Sequence, residues 1–316
     1  MRAKEVSEKA RAIVEQVETV IFGKRETIEK AVFVLLCNGH ILLDDVPGVG
    51  KTMLSKALAK SIGGEFRRIQ FTPDLLPSDI TGSSVFNQKL MEFEFLPGPI
   101  FGNVVLADEI NRATPKTQAA LLEAMEERQV TTDGVSRKLP DPFFVIATQN
   151  NVELTGVYPL PEAQLDRFFA RLSLGYPAHD VEVDILQAQQ IEHPINKVTQ
   201  VVTPEELTAM QKAVREIYVH PSIREYIVDI VTATRTSNQI MLGASPRGSL
   251  LLLQAAQARA AYHNQEFVRP DDVKAMAPCV LSHRIIPRGD LRSRGIGTEE
   301  LIEGIVANIR APVPVS

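Results

Sequence analysis

Between residues 45 and 52 the chain reads Asp45-Val46-Pro47-Gly48-Val49-Gly50-Lys51-Thr52. An apolar run, His40-Ile41-Leu42-Leu43, precedes this string, and a helix-like stretch from Met53 to Ile62 follows it. A short apolar run bounded by turn residues predicts a buried strand. A glycine-bearing turn from strand into helix aims several backbone N–H groups at one point, with the positive end of the helix dipole behind them. Such a turn binds an anion. Lys51 adds a full charge for β- and γ-phosphates, and Thr52 adds a hydroxyl for Mg²⁺. The spacing therefore predicts a P-loop, Val46, Pro47, Gly48, Val49, Gly50, Lys51, Thr52 and Met53, with a nucleoside triphosphate as ligand. The strict pattern has glycine where Asp45 stands. A carboxylate beside phosphates is repelled, so Asp45 is expected to point away from them.

With 316 residues the chain exceeds one typical domain and suits two. Its 44% hydrophobic and 23% charged residues are the balance of an ordinary globular protein. A net charge of −5 argues against nucleic acid as the main partner, which a basic face would suit better. The two cysteines, Cys37 and Cys279, are far apart and predict reduced thiols rather than a disulfide framework or a metal site. No apolar run approaches the ~18 residues of a membrane span. The first twenty residues are charged throughout and lack an apolar signal core, so a cytoplasmic protein is expected.

Helical periodicity marks Glu5–Val20 and Lys24–Cys37. Five short, largely apolar runs then predict strands at Ile41–Asp44, Phe66–Phe71, Val104–Asp108, Phe143–Thr148 and Phe169–Leu174. Helical stretches between several of them imply a mostly parallel sheet covered on both faces. Val104-Val105-Leu106-Ala107 is apolar at consecutive positions, which predicts a central strand. Thr114-Pro115 opens a helix to about Arg128, with threonine as its cap. Asp133-Gly134 predicts a hairpin turn, and Ser83–Phe95 reads as a second hairpin. After Gly175-Tyr176-Pro177 the pattern turns helical, giving an expected division into residues 1–176 and an all-helical 177–316. Thr203-Pro204-Glu205-Glu206 combines a cap, a first-turn proline and a capping-box glutamate. Further helices are expected at Pro221–Ser237, Pro246–His263, Pro270–Leu281 and Thr298–Ile309.

Asp108-Glu109 ends the third strand. Ligands of open α/β sheets sit outside the carboxyl ends of the strands. Asp108 is the expected holder of the Mg²⁺ shell, with Thr52, and Glu109 the base for an attacking water. Asn150, after the fourth strand, is placed to position that water or touch the γ-phosphate, although an Asx-turn would also explain an asparagine there. Charge alone leaves Arg167, Arg171 and Arg112 as equal candidates for an arginine finger. Arg247 stands in the first turn of a helix, where it opposes the dipole. That placement points either to a bound anion such as an ATP phosphate or to a partner carboxylate.

These residues resemble a known family. The P-loop, Ala107-Asp108-Glu109-Ile110-Asn111-Arg112, Ala147-Thr148-Gln149-Asn150, Tyr158-Pro159-Leu160-Pro161-Glu162-Ala163-Gln164-Leu165-Asp166-Arg167-Phe168 and Ser245-Pro246-Arg247 look like the motifs of MoxR-type AAA+ ATPases, in order over nearly the whole chain. The resemblance implies an αβα P-loop core with a five-stranded parallel sheet of order 5-1-4-3-2 and a C-terminal all-helical lid. It also implies that Asn150 is the sensor 1 residue, Arg167 the arginine finger and Arg247 the sensor 2 residue. Gly23, in Ile21-Phe22-Gly23, would sit near adenine. Ser83–Phe95 would be the helix-2 insert and Gln129–Leu139 the hairpin before sensor 1. An arginine finger serves a neighbour's nucleotide, so a homo-oligomeric ring, usually a hexamer, is implied. Asn151, where the family has proline, and the following Val152–Val157 depart from the pattern.

The resemblance implies an enzyme that hydrolyses ATP with Mg²⁺ and drives chaperone-like remodelling or metal-cofactor activation of a client. A von Willebrand factor A domain protein is the implied partner. The alternatives are a nucleic-acid motor of the same superfamily, a magnesium-chelatase-like subunit, or a nucleotide-gated scaffold with slow turnover. The acidic charge and the lack of a basic, aromatic-interleaved stretch disfavour the first of these.

Overall fold

The structure, a computed structural model, describes residues 1–150, 156–190, 192–289 and 297–312. The chain opens with two helices, α1 (Ala3–Glu18) and α2 (Arg25–Leu36). Val6, Ala10, Ile13, Val14 and Val17 form the buried stripe of α1 that helical spacing predicts. β1 (Ile41–Asp44) leads through the P-loop into α3 (Lys51–Ser61), β2 (Phe66–Gln70) and a short α4 (Pro77–Thr81). A hairpin of β3 (Gly82–Asn87) and β4 (Glu92–Pro97) precedes β5 (Val104–Asp108) and α5 (Pro115–Glu127). A second hairpin, β6 (Gln129–Thr132) and β7 (Val135–Lys138), precedes β8 (Phe144–Gln149), α6 (Glu162–Leu165) and β9 (Ala170–Leu172).

Five strands form one sheet in the order β2-β5-β8-β1-β9, every pair parallel. Counted along the chain among themselves, this is the expected 5-1-4-3-2. β5 has a neighbour on each side, but the middle position belongs to β8. Asp133 and Gly134 both have positive φ, +53° and +74°, the pairing that a tight hairpin turn requires. Thr114 does occupy the cap position of α5, but its hydroxyl meets Thr117 Oγ1 at 3.2 Å instead of a backbone N–H.

The remaining described elements are α7 (His179–Gln189), α8 (Pro204–Arg215), α9 (Pro221–Thr236), β10 (Ile240–Leu242), α10 (Pro246–Tyr262), α11 (Pro270–Leu281), β11 (Ile286–Pro287) and α12 (Thr298–Asn308). Helices α8 to α11 each start on proline, whose fixed φ and missing N–H suit a first helical position. The Thr203–Glu206 capping box forms in both directions. The helical region also carries an antiparallel strand pair, Ile240 with Pro287 and Leu242 with Ile286, that the helical pattern did not announce.

One hydrophobic cluster fills the face of the sheet toward α1, α2 and α3 and runs on into α8–α12. A second, with Phe71, Val105, Leu121 and Phe168, fills the other face against α5. The first core is therefore continuous across Gly175–Pro177. Ser7 Oγ donates to the Tyr262 carbonyl at 2.6 Å, and the Phe33 and Tyr262 rings meet edge to face at 5.1 Å.

Candidate functional site

The P-loop backbone turns at Gly48 and Gly50, with φ of +86° and +98°, a region that side chains strain. The N-terminus of α3 follows at once. Lys51 Nζ arches back and donates to the Asp45 carbonyl oxygen at 3.0 Å. The Asp45 side chain turns the other way, as repulsion predicts. Its carboxylate is buried and accepts from Ser173 Oγ at 2.8 Å and from the backbone N–H groups of Leu174 and Gly175 at 2.6 and 2.9 Å.

One pocket is lined by Pro47, Gly48, Gly50, Lys51, Thr52 and Met53 from the P-loop and α3, by Asp108 and Glu109 at the end of β5, and by Asn150 after β8. The parallel sheet brings these strand ends together, as the fold predicts. Thr148 on β8 fixes the two acids. Its hydroxyl donates to Asp108 Oδ1 at 2.7 Å and accepts the Glu109 N–H at 2.8 Å. Glu109 is a non-glycine residue with φ of +57°, a conformation that costs on the order of 1 kcal/mol and concentrates at functional positions. Its Oε2 accepts from Gln70 Nε2 at 2.9 Å and pairs with Arg112 at 3.1 Å. Asn150 is buried on the wall of the same pocket. Thr52 and Asp108 offer a hydroxyl and a carboxylate, hard oxygen donors that suit a Mg²⁺ ion completed by phosphate and water. Among the described residues no group of three or more His, Cys, Asp or Glu could hold a metal alone.

Gly23, Val46 and Val49 do not line this pocket. Gly23 turns at φ of +65° against α7, where an added Cβ would lie 3.0 Å from Val181 Cγ2. Its neighbour Ile21 is the residue that approaches the P-loop, 3.3 Å from where a Gly50 side chain would begin. Val49 packs on the hydrophobic core, and neither it nor Val46 lines the pocket. Asn151, the departure after the sensor asparagine, lies outside the described residues, as do 152–155.

Arg167 and Arg247 are not in this pocket. They line a second cavity with Arg128, Arg215 and Glu126. Glu126, near the end of α5, bridges them, its two oxygens each 3.1 Å from one guanidinium. Arg247 also lies 4.0 Å from Asp166. Of the two explanations for a cation in a first helical turn, this chain displays the carboxylate. The other finger candidates are committed differently: Arg112 to Glu109, and Arg171 to Thr298 Oγ1 at 2.7 Å. Arg284 holds the segment that presents Arg167. Its buried guanidinium pairs with Asp166 at 2.8 Å and donates to the carbonyls of Phe168 and Phe169. Burial lowers its pKa to about 10.

Sequence reasoning missed Arg68, Gln70, Glu126 and Arg284. Arg68 and Gln70 are spaced i, i+2 on β2, so they share a face, and that spacing was a usable signal. Glu126 and Arg284 gave none.

Comparison with known proteins agrees with the geometry. A family model described as "ATPase family associated with various cellular activities (AAA)" matches residues 40–170, and one described as "AAA lid domain" matches 232–305. "Chaperone MoxR1" of Mycobacterium tuberculosis (strain ATCC 25618 / H37Rv) is 40% identical over 98% of this chain and 84% of its own. The chain belongs to the MoxR family of AAA+ ATPases. "Uncharacterized protein YeaC" of Bacillus subtilis (strain 168) is 53% identical over 95% of this chain and 94% of its own. "Protein MoxR" of Paracoccus denitrificans is 30% identical over 94% of this chain and 93% of its own. A crystal structure of a candidate ATPase from Cytophaga hutchinsonii superposes with a TM-score of 0.90, at 36% identity, over 98% of this chain and 97% of that one.

Proposed function

We propose that this MoxR-family ATPase hydrolyses ATP to ADP and phosphate at the P-loop pocket. It works as a homo-oligomeric ring, a hexamer, and its cycle remodels a protein client, with a von Willebrand factor A domain protein as partner in assembly or metal-centre activation. The moving parts are the core, residues 1–176, and the lid, 177–316. One observation carries the reading. Lys51 lies in one pocket with Asp108, Glu109 and Asn150, whereas Arg167 and Arg247 converge on another cavity. A pair of arginines remote from its own P-loop suits a neighbour's nucleotide.

Thr52 and Asp108 would hold Mg²⁺, which neutralises phosphate charge when bound. Glu109 accepts the proton of the attacking water, a contribution of roughly 10²–10⁴ in rate. Asn150 orients that water. The relative named a chaperone supports a protein client, and the acidic net charge supports it over nucleic acid. No described helix is long and apolar enough to cross a membrane, and we place the protein in the cytoplasm.

The test is the pair Lys51→Ala and Glu109→Gln. Lys51→Ala should lose nucleotide binding. Glu109→Gln should bind ATP and turn it over at least ~100-fold more slowly, which makes it the bait for capturing the client. Turnover at the parent's rate in Glu109→Gln would remove that residue as the base.

A further inference from the structure

Arg68 lies on β2, beside the acid-bearing strand β5, and its guanidinium forms part of the P-loop pocket wall. One nitrogen donates to Asp108 Oδ2 at 2.6 Å and to Gln70 Oε1 at 2.7 Å. Thr148 already donates to the other oxygen of Asp108. Both oxygens of the expected metal-holding carboxylate are therefore engaged, one of them by a cation.

The Arg68 side chain is 49% exposed, so this pair contributes little to stability. Its consequence is for charge in the pocket. A divalent cation approaching Asp108 meets a positive guanidinium at hydrogen-bond distance from the same oxygen, and the two repel. A triphosphate instead brings concentrated negative charge. A long, half-exposed arginine is suited to follow it, because the planar guanidinium bonds phosphate as well as carboxylate.

We propose that Arg68 is a positioning residue that guards Asp108 against metal alone and turns to the terminal phosphate when the nucleotide binds. The cation then enters only together with a triphosphate. The inference rests on the P-loop reading above and adds a discriminating role for β2.

The test compares the parent with Arg68→Gln and Arg68→Lys. Mn²⁺ binding without nucleotide is followed by electron paramagnetic resonance, and ATP and ADP binding by calorimetry. Arg68→Gln should bind Mn²⁺ alone at least about tenfold more tightly and lose at least about tenfold of the preference for ATP over ADP. Arg68→Lys keeps the charge without the fork and should fall between. Nucleotide-free Mn²⁺ affinity within about twofold of the parent, or an unchanged ATP-to-ADP ratio, overturns the inference. Failure of the parent itself to bind ATP would overturn the P-loop reading instead, and the nucleotide-free Mn²⁺ comparison separates the two failures.

Discussion

Asp45 is where this P-loop leaves the strict glycine pattern, and the structure turns that departure into an anchor. Its carboxylate receives three hydrogen bonds from Ser173, Leu174 and Gly175, the stretch just after β9. The amide of Asp45→Asn has one acceptor oxygen, and its NH₂ would face N–H donors. Leaving buried donors unpaired costs about 1–3 kcal/mol. Asp45→Asn should therefore lower unfolding stability in urea by about that amount, with a smaller loss of nucleotide affinity, because Lys51 and the α3 N-terminus remain. A stability equal to the parent's would show the anchor to be idle. The direction of Asp45 was legible from charge alone. Its partners were not, since they lie more than a hundred residues away in sequence. The same holds for Arg247. Its unfavourable place in a helix was legible, but which carboxylate answers it depended on where α5 ends.

At the scale of elements, β1, β5 and β8 were legible because parallel strands buried on both faces read as apolar runs, whereas β2 is mostly exposed and carries Arg67, Arg68 and Gln70. Boundaries slipped by a residue or two where an aromatic such as Phe143 or Phe169 flanks a strand. The β10–β11 pair was not legible, because Ile240 meets Pro287 across the whole of α10 and α11. The arginine pair is also a product of elements. α5 supplies Glu126, the α6–β9 junction supplies Arg167, and α10 supplies Arg247. If this face serves a neighbouring subunit, Arg167→Ala should leave nucleotide binding intact and lower turnover by ~10³–10⁵. Mixing Arg167→Ala with Lys51→Ala should then restore part of the activity, because each variant supplies what the other lacks. Absence of rescue at every mixing ratio would rule out action between subunits.

Across the whole molecule, two buried histidines lie at the seam between sheet and helical lid. His40 Nδ1 accepts the Val145 N–H at 3.0 Å, and its Nε2 donates to the Met125 carbonyl at 3.2 Å. His283 Nε2 meets the Phe168 carbonyl at 3.1 Å. The His40 carbonyl accepts the Phe169 N–H, so both histidines grip the segment that presents Arg167. Burial, with Arg128 beside His40 and Arg284 beside His283, pushes both imidazoles well below their ordinary value of 6.5. The folded chain keeps them neutral, while the unfolded chain takes up protons below that value. Their stabilisation is thus intact above about pH 6.5 and is lost as pH falls toward the depressed values, at up to about 1.4 kcal/mol per pH unit for each histidine. Between about pH 6.5 and 5 most carboxylates stay ionised, so this window isolates the imidazoles. The urea midpoint should fall steadily across it, and His40→Gln and His283→Gln should each reduce the slope, with His263, also lowered by burial, contributing to what remains. If both variants kept the parent's slope, the seam would owe its acid sensitivity to other groups. A reduced slope in His283→Gln would mean that mild acid loosens the lid from the arginine-bearing segment, because the His283 ring joins the two.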